Sequence, residues 1–388
     1  MAQSLISVLS LWLVVFLGCI GLLECSQPTL PAIYVFGDST VDVGTNQYLP
    51  KAEARADHPF YGIDFPHSTA TGRFSNGLNI VDYLAKFLGF ELSPPPFLSL
   101  LDKKEGIYGK IILLSKGVNF ASGGSGILDE TGKRKWGNVV ALGDQVQQFA
   151  RVHDIISKLQ GEGGLANISK SFFLISVGSN DILEHFLTNQ STSAKLNIAT
   201  LMSTYESRLR NLIDLGAKRF GIISVPPVGC VPLVLNSTQD GSCSEPVNQY
   251  AILFYKALQG VLLKLSAECQ EMKYALADAY TMTTLIIKDP KQFGNYLNIL
   301  NYSFSLLVAY HKNSIEWFEE ATKACCGKGN FNAEPCTPES DLCKDRDVYL
   351  FWDQYHPTQA ASHLAAQTLH AGGGFVAPMT FGQLASLA

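Results

Sequence analysis

The chain has 388 residues, of which 47% are hydrophobic and 16% are charged. This composition supplies a large buried core and excludes a disordered or fibrous protein. The formal net charge is −5, and no cluster of Lys and Arg is dense enough to neutralise a phosphate backbone, so nucleic acid is not an expected partner.

The first predicted element is an uncharged apolar stretch from Leu5 to Leu23, close before Cys25. It is typical of a secretory signal peptide, although it lacks a basic n-region and is long enough to span a bilayer as an uncleaved anchor. No linker or repeat interrupts the rest of the chain. We therefore predict a signal peptide over residues 1–25 and a single domain over residues 26–388, without a stable membrane anchor.

Five short apolar runs rich in β-branched or aromatic residues follow at wide spacing, and each is typical of a strand buried on both faces. They are Ala32–Phe36, Val118–Ala121, Phe172–Val177, Phe220–Val225 and Tyr274–Ala277. Helical patterns lie between several of these runs, which implies parallel pairing. The sequence thus predicts an α/β fold with an open parallel sheet between layers of helices.

Polar loops that contain glycine directly follow the first three runs, at residues 37–40, 122–126 and 178–181. Any one of them is also compatible with an ordinary turn. Ligands of open parallel sheets bind beyond the carboxyl ends of the strands, so the three loops are expected to meet at one edge. Their chemistry is complementary, which indicates a functional site.

A serine nucleophile needs a base, a group that orients the base, and N–H donors for the oxyanion. Ser39 lies at a strand-to-helix turn, where its hydroxyl can be exposed and its own N–H can face a developing charge. Gly124 offers a backbone N–H without a Cβ that would block close approach, and Asn180 offers a side-chain amide. We predict these three residues as nucleophile and oxyanion donors, with Gly123 as an alternative to Gly124.

The predicted base is His356, because Asp353 lies three residues before it and Pro357 disfavours a helical conformation at this point. The two side chains thus share one tight loop, close enough for the carboxylate to reach Nδ1. The other seven histidines lack a comparable partner and are expected to be surface or packing residues. No G-x-S-x-G elbow and no G-x-G-x-x-G pattern occur, which argues against an ordinary α/β-hydrolase and against a dinucleotide site.

Seven cysteines remain after removal of the signal peptide, and four of them fall between Cys325 and Cys343. Their spacing does not supply the paired ligands of a zinc site, so disulfides are favoured. We predict a Cys230–Cys243 bridge and two bridges among the other four, with connectivity open, and a free, buried Cys269 on an amphipathic helix. Four glycosylation sequons, which agree with export, occur at Asn167, Asn189, Asn236 and Asn301.

Four blocks of the chain resemble the plant-type GDSL esterase/lipases of the SGNH hydrolase superfamily. The blocks are Val35–Gly44, Val118–Gly124, Val177–Asp181 and Asp353–Pro357. The chain departs from the family pattern at Thr40, where the family has Leu. The resemblance implies a flavodoxin-like three-layer α/β/α sandwich with a central five-stranded parallel sheet.

By residue-wise resemblance, Ser39 is similar to the family nucleophile, Gly124 and Asn180 to its oxyanion donors, and Asp353 and His356 to the rest of its triad. The resemblance implies a secreted esterase or lipase of the apoplast or cell wall, which hydrolyses small-molecule, lipid or cell-wall acyl esters through an acyl-enzyme. It implies no metal and no cofactor.

Two alternative functions stay open at this point. The same acyl-enzyme would serve an acyltransferase, and a secreted binding or defence protein that has lost catalysis is a further alternative, disfavoured because all five catalytic positions are filled. The segment between Thr40 and Gly117, which includes the apolar stretch Pro94–Leu98, is expected to shape the acyl site.

Overall fold

The computed structural model describes residues 30–101, 109, 116–188, 196–291, 318–372 and 374–387. The predicted signal peptide and the sequons at Asn189 and Asn301 lie outside these ranges. Within them, none of the helices is both long enough and apolar enough to cross a membrane.

In the described ranges, ten strands form one large sheet and two small ones. They are β1 (Ile33–Gly37), β2 (Gly117–Asn119), β3 (Phe172–Ser176), β4 (Arg219–Ile223), β5 (Lys273–Ala277), β6 (Glu320–Ala324), β7 (Cys326–Gly327), β8 (Asp341–Leu342), β9 (Tyr349–Phe351) and β10 (Val376–Ala377). The large sheet has the order β10-β5-β4-β3-β1-β2, and only β10 runs antiparallel to its neighbour.

The five predicted parallel strands are confirmed, each within three residues of its predicted ends. Their order, with β2 on one side of β1 and the later strands on the other, is the flavodoxin-like arrangement. The antiparallel edge strand β10 is an addition that the sequence analysis did not predict, because it contains only two residues.

Helices cover both faces of this sheet. They are α1 (Ile80–Phe87), α2 (Lys133–Trp136), α3 (Leu142–Lys170), α4 (Ser179–Thr188), α5 (Ile198–Asp214), α6 (Pro232–Ser237), α7 (Glu245–Glu268), α8 (Ala279–Lys288), α9 (Gln359–Ala371) and α10 (Phe381–Ala385). The chain moves in opposite directions along the sheet from β1 to β2 and from β2 to β3, so right-handed crossovers place α1 and α3 on opposite faces. Helix α9 packs on α1 and α10 on α9, whereas α5 packs on α3 and α7 on α5, which completes three layers.

The core beneath the first strand is aromatic. The ring of Phe36 on β1 stacks on Phe120 at a centroid distance of 5.0 Å, and Phe149 of α3 meets Tyr34 edge-on at 4.9 Å. Phe173 of β3 completes the cluster, 5.2 Å from Phe149. All of these side chains are buried, so the face of β1 that carries Tyr34 and Phe36 is tightly packed.

A small lobe that contains two disulfides lies after α8 in the chain. In this disulfide lobe, defined as residues 320–352, β6 pairs with β9 and β7 pairs with β8. Cys325 bonds to Cys343, and Cys326 bonds to Cys336. A second hydrophobic cluster packs these cysteines and Trp352 against Ala54, Ala56, Tyr61 and Phe74. The lobe is thereby attached to the long loop that follows β1.

The predicted Cys230–Cys243 bridge is also present. Cys269 has no disulfide partner among the described cysteines, as predicted, but it differs from the prediction in its placement. It is the residue that follows the last turn of α7, and it is half-buried rather than buried in the helix face. The apolar pattern of α7 ends at Leu265, one turn before Cys269.

We predict that the purified protein contains the bridges Cys230–Cys243, Cys325–Cys343 and Cys326–Cys336, with only Cys269 alkylated before reduction. Cys325 and Cys326 are adjacent, so the measurement is mass spectrometry after partial reduction and stepwise alkylation, which labels the two bridges at different stages. A bridge between Cys325 and Cys336 would show that the lobe is paired differently.

Candidate active site

The three polar loops predicted to converge do so at the carboxyl edge of the parallel strands. A cavity of about 360 Å³ opens there, within the size range of small-molecule sites. Five candidate residues line it, and they come from the ends of β1, β2, β3 and β9: Ser39, Gly124, Asn180, Asp353 and His356. The structure therefore brings together every predicted site residue of the catalytic set.

Ser39 follows β1 at a turn that only glycine permits. Gly37 has a φ of +146°, and a Cβ at this position would lie 2.0 Å from the carbonyl oxygen of Ser176. The buried Gln145 side chain of α3 binds the Gly37 backbone, accepting from its N–H at 2.8 Å and donating to its carbonyl at 2.9 Å. These two hydrogen bonds fix the turn that presents Ser39.

Thr40, the position at which the chain departs from the family pattern, has a structural use. Its hydroxyl donates to Asp38 Oδ1 at 2.7 Å, and its backbone N–H donates to the same oxygen at 3.0 Å. Burial raises the pKa of Asp38, while these two donors act in the opposite direction. A leucine at this position would supply only the backbone bond.

His356 lies between Ser39 and Asp353. Its Nε2 is 2.7 Å from Ser39 Oγ, and its Nδ1 is 2.8 Å from each carboxylate oxygen of Asp353. The backbone closes the short loop, because Trp352 N–H donates to the His356 carbonyl at 2.7 Å. The ring also packs on Phe74, with a centroid distance of 4.9 Å. These contacts fix the imidazole in one orientation.

The Asp353 carboxylate is buried and accepts bonds from several donors. Its Oδ1 accepts from the N–H groups of Tyr355 at 2.8 Å and of His356 at 2.9 Å, and its Oδ2 accepts from the Tyr61 hydroxyl at 2.7 Å. Burial alone would raise the pKa of Asp353, but the imidazole and these donors outweigh it and hold the pKa below its ordinary value. The carboxylate is therefore ionised at neutral pH.

The structure distinguishes Gly124 from Gly123. The N–H of Gly123 donates to Asp42 Oδ2 at 2.8 Å, so it is already in use. Asp42 is fully buried, which raises its pKa to about 6 against the effect of its N–H donors at Gly44, Thr45 and Gly123. Gly124, by contrast, lines the cavity with a φ of +84°, and a Cβ there would lie 2.7 Å from Trp136.

One amide hydrogen of Asn180 is engaged, and the other has no acceptor among the described residues. Its Nδ2 donates to the Ser125 carbonyl at 2.9 Å, which fixes the amide beside the loop after β2. The adjacent Asp181 accepts from the N–H groups of Ile127 and Leu128, at 2.9 and 3.1 Å. The loop that carries Gly124 is therefore hydrogen-bonded to the start of α4, which carries Asn180.

Two residues of the cavity wall were not predicted from the sequence. Tyr61 and His58 lie in its wall, with their rings edge-on at 4.9 Å. His58 is half-buried, so of the two expected roles, surface or packing residue, it has the packing role. Both residues lie in the loop after β1, and no local pattern marks them.

One part of the segment that was expected to shape the acyl site lines the cavity, and another part does not. Residues of the segment between Thr40 and Gly117 do line the cavity, among them Ala54, Tyr61 and Phe74. Pro94–Leu98 does not, because this stretch runs beside the edge strand β2, where the Pro95 carbonyl accepts from Asn119 N–H at 3.0 Å.

Comparison with known proteins gives consistent matches. The family model described as GDSL-like Lipase/Acylhydrolase matches residues 33–369. A GDSL esterase/lipase of Arabidopsis thaliana is 36% identical over 370 residues, which cover 92% of this chain and 90% of the relative. A second Arabidopsis GDSL esterase/lipase is 34% identical over 346 residues, or 87% and 85% of the two chains.

A solved acetylxylan esterase of Geobacillus stearothermophilus aligns with 89% of this chain and 94% of its own, at 13% identity. Its TM-score is 0.36, a likeness too distant to carry an argument.

We predict that Tyr61→Phe lowers the free energy of unfolding by about 1–3 kcal/mol, because the buried Asp353 carboxylate loses a donor that nothing replaces. The measurement is urea unfolding at neutral pH. Tyr205→Phe is the matched control, since the Tyr205 hydroxyl is buried and has no hydrogen-bond partner in the described part of the chain. Equal stability losses in the two variants would contradict a specific role of the Tyr61 hydroxyl.

Proposed function

Because the chain belongs to the GDSL-like lipase/acylhydrolase family and is a hydrolase that acts on ester bonds, we propose that it cleaves acyl esters by nucleophilic catalysis. Ser39 is the nucleophile, His356 the base and Asp353 the orienting acid. The observation that carries this assignment is the 2.7 Å contact between Ser39 Oγ and His356 Nε2, with Asp353 on the other ring nitrogen.

In the first half-reaction, Ser39 Oγ attacks the acyl carbon while His356 Nε2 takes the hydroxyl proton. The tetrahedral intermediate collapses, the bond to the alcohol oxygen breaks, and His356 returns the proton to the departing alcohol. In the second half-reaction, His356 deprotonates a water molecule that attacks the acyl-enzyme. The acid leaves, and Ser39 Oγ recovers its proton from His356.

Asp353 serves this cycle by its charge. The proton transfer turns His356 into an imidazolium, which the ionised carboxylate on Nδ1 stabilises. The same bond keeps the neutral imidazole in the tautomer whose Nε2 is unprotonated and ready to accept. A protonated Asp353 would do neither, so the low pKa of this carboxyl suits the role.

The oxyanion receives three N–H donors, those of Ser39, Gly124 and the Asn180 amide. Gly124 is preferred to Gly123 because the Gly123 N–H is bound to Asp42. Asn180 is held through its bond to Ser125, and a fixed donor needs no reorganisation when charge develops on the substrate. The cycle calls on no metal and no cofactor.

We further propose that the protein is secreted to the apoplast or cell wall. Three disulfides support this, because such bonds persist in oxidising compartments. Of the four sequons proposed as glycosylation sites, Asn167 and Asn236 lie in the described residues, and both side chains are exposed. An exposed asparagine is accessible to the glycosylation machinery.

We predict that a fluorophosphonate probe labels the purified protein on Ser39, because only an activated hydroxyl attacks the phosphorus at a useful rate. Peptide mass spectrometry identifies the modified residue. Ser39→Ala should abolish labelling, whereas Ser179→Ala, which removes another hydroxyl from the cavity wall, should retain it. Labelling that persists in Ser39→Ala would refute the assignment.

A further inference from the structure

The cavity that contains Ser39 extends well beyond the reacting groups. We call its far part the acyl trench and define it by Leu183, Leu187, Pro226, Val228, Met282 and Ile286. None of these side chains carries a polar group. The two ends of the cavity thus differ in character, since the end at Ser39 holds polar donors and the trench is apolar.

The sheet order gives the trench its direction and length. Leu183 and Leu187 belong to α4, which follows β3, while Pro226 and Val228 follow β4. Met282 and Ile286 belong to α8, which follows β5. In the sheet, β5 lies three strands from β1, and a strand spacing of about 4.8 Å makes this about 14 Å from the Ser39 end.

The side of the cavity formed by the loops after β1 and β2 is mixed in character. Glu53, Arg55 and Lys135 line it together with Ala54, Phe74 and Trp136. The Lys135 ammonium lies over the Trp136 ring at 4.4 Å and donates to the Tyr355 hydroxyl at 2.6 Å. An ester bound across Ser39 has an acyl side and an alcohol side, and the trench, which holds no charged group, is the side better suited to a hydrocarbon chain.

We propose that the acyl trench binds the acyl part of the substrate as an extended apolar chain of medium or greater length, and that Met282, Thr283 and Ile286 of α8 set the chain length accepted. The proposal rests on Ser39 being the nucleophile. Met282 and Ile286 are one turn apart on α8, so they present one continuous face to the chain. Thr283 is half-buried beside them and also lines the cavity.

The first test compares p-nitrophenyl acetate with p-nitrophenyl octanoate on the full-length protein. An acetyl group leaves the trench empty, whereas an octanoyl chain fills it, so kcat/KM should be higher for the octanoate. The expected ratio is at least about tenfold, since a single methylene in an apolar pocket is worth that much. A higher kcat/KM for the acetate would overturn the proposal.

The second test fills the trench. Thr283→Phe should lower kcat/KM for the octanoate at least about tenfold more than it lowers kcat/KM for the acetate, because the added ring occupies the space of several methylenes. Lys288→Phe is the control, since it adds the same ring to an exposed position of α8. If Thr283→Phe fails to fold, Met282→Ala replaces it and should raise the preference for palmitate over octanoate.

The outcomes separate the two proposals. If Ser39→Ala still hydrolyses the octanoate at the wild-type rate, the assigned nucleophile is wrong, and the trench proposal falls with it. If hydrolysis needs Ser39 but the folded trench variant changes the acetate and the octanoate by the same factor, only the trench proposal is overturned.

Discussion

The Asp353 carboxylate is buried beside the imidazole of His356, and a buried charge of this kind destabilises a fold unless it is paired and hydrogen-bonded. Here it accepts from two backbone N–H groups of its own loop, from His356 Nδ1, and from the Tyr61 hydroxyl. The first three donors shape the loop, and the fourth attaches that loop to a distant segment. The orientation of the imidazole therefore depends on a carboxylate that two separate parts of the chain hold in place.

The fold supplies the two halves of the site from different structures. The parallel sheet positions Ser39, Gly124 and Asn180 at its carboxyl edge, as open α/β sheets do with their ligands. The disulfide lobe positions Asp353 and His356, because the N–H of Cys325 donates to the Phe351 carbonyl and the N–H of Cys326 to the Trp352 carbonyl. The hydrophobic cluster around Trp352 joins the lobe to the loop after β1. Ser39 and His356 meet only when both halves are assembled.

Sequence reasoning succeeded where the signal is local. Each buried strand is followed directly by its polar loop, and Asp353 is three residues from His356. Pattern and spacing therefore reveal these features. Tyr61 and Asp353 are 292 positions apart, and nothing near Tyr61 marks it as a donor. The choice between Gly123 and Gly124 likewise required the Asp42 contact across 81 positions. The distal wall of the cavity depends on helix α8, whose sequence reads only as an amphipathic helix.

The most direct test of this account is the steady-state kinetics of Asp353→Asn, measured beside its thermal unfolding. The amide retains the size of the carboxylate and can still accept from the loop N–H groups, so the protein should fold. It carries no charge and favours the wrong imidazole tautomer, so kcat for an acyl ester should fall by roughly 10⁴ with little change in KM. A folded Asp353→Asn variant whose kcat stays within about tenfold of the wild-type value would contradict the claim that this carboxylate organises the site.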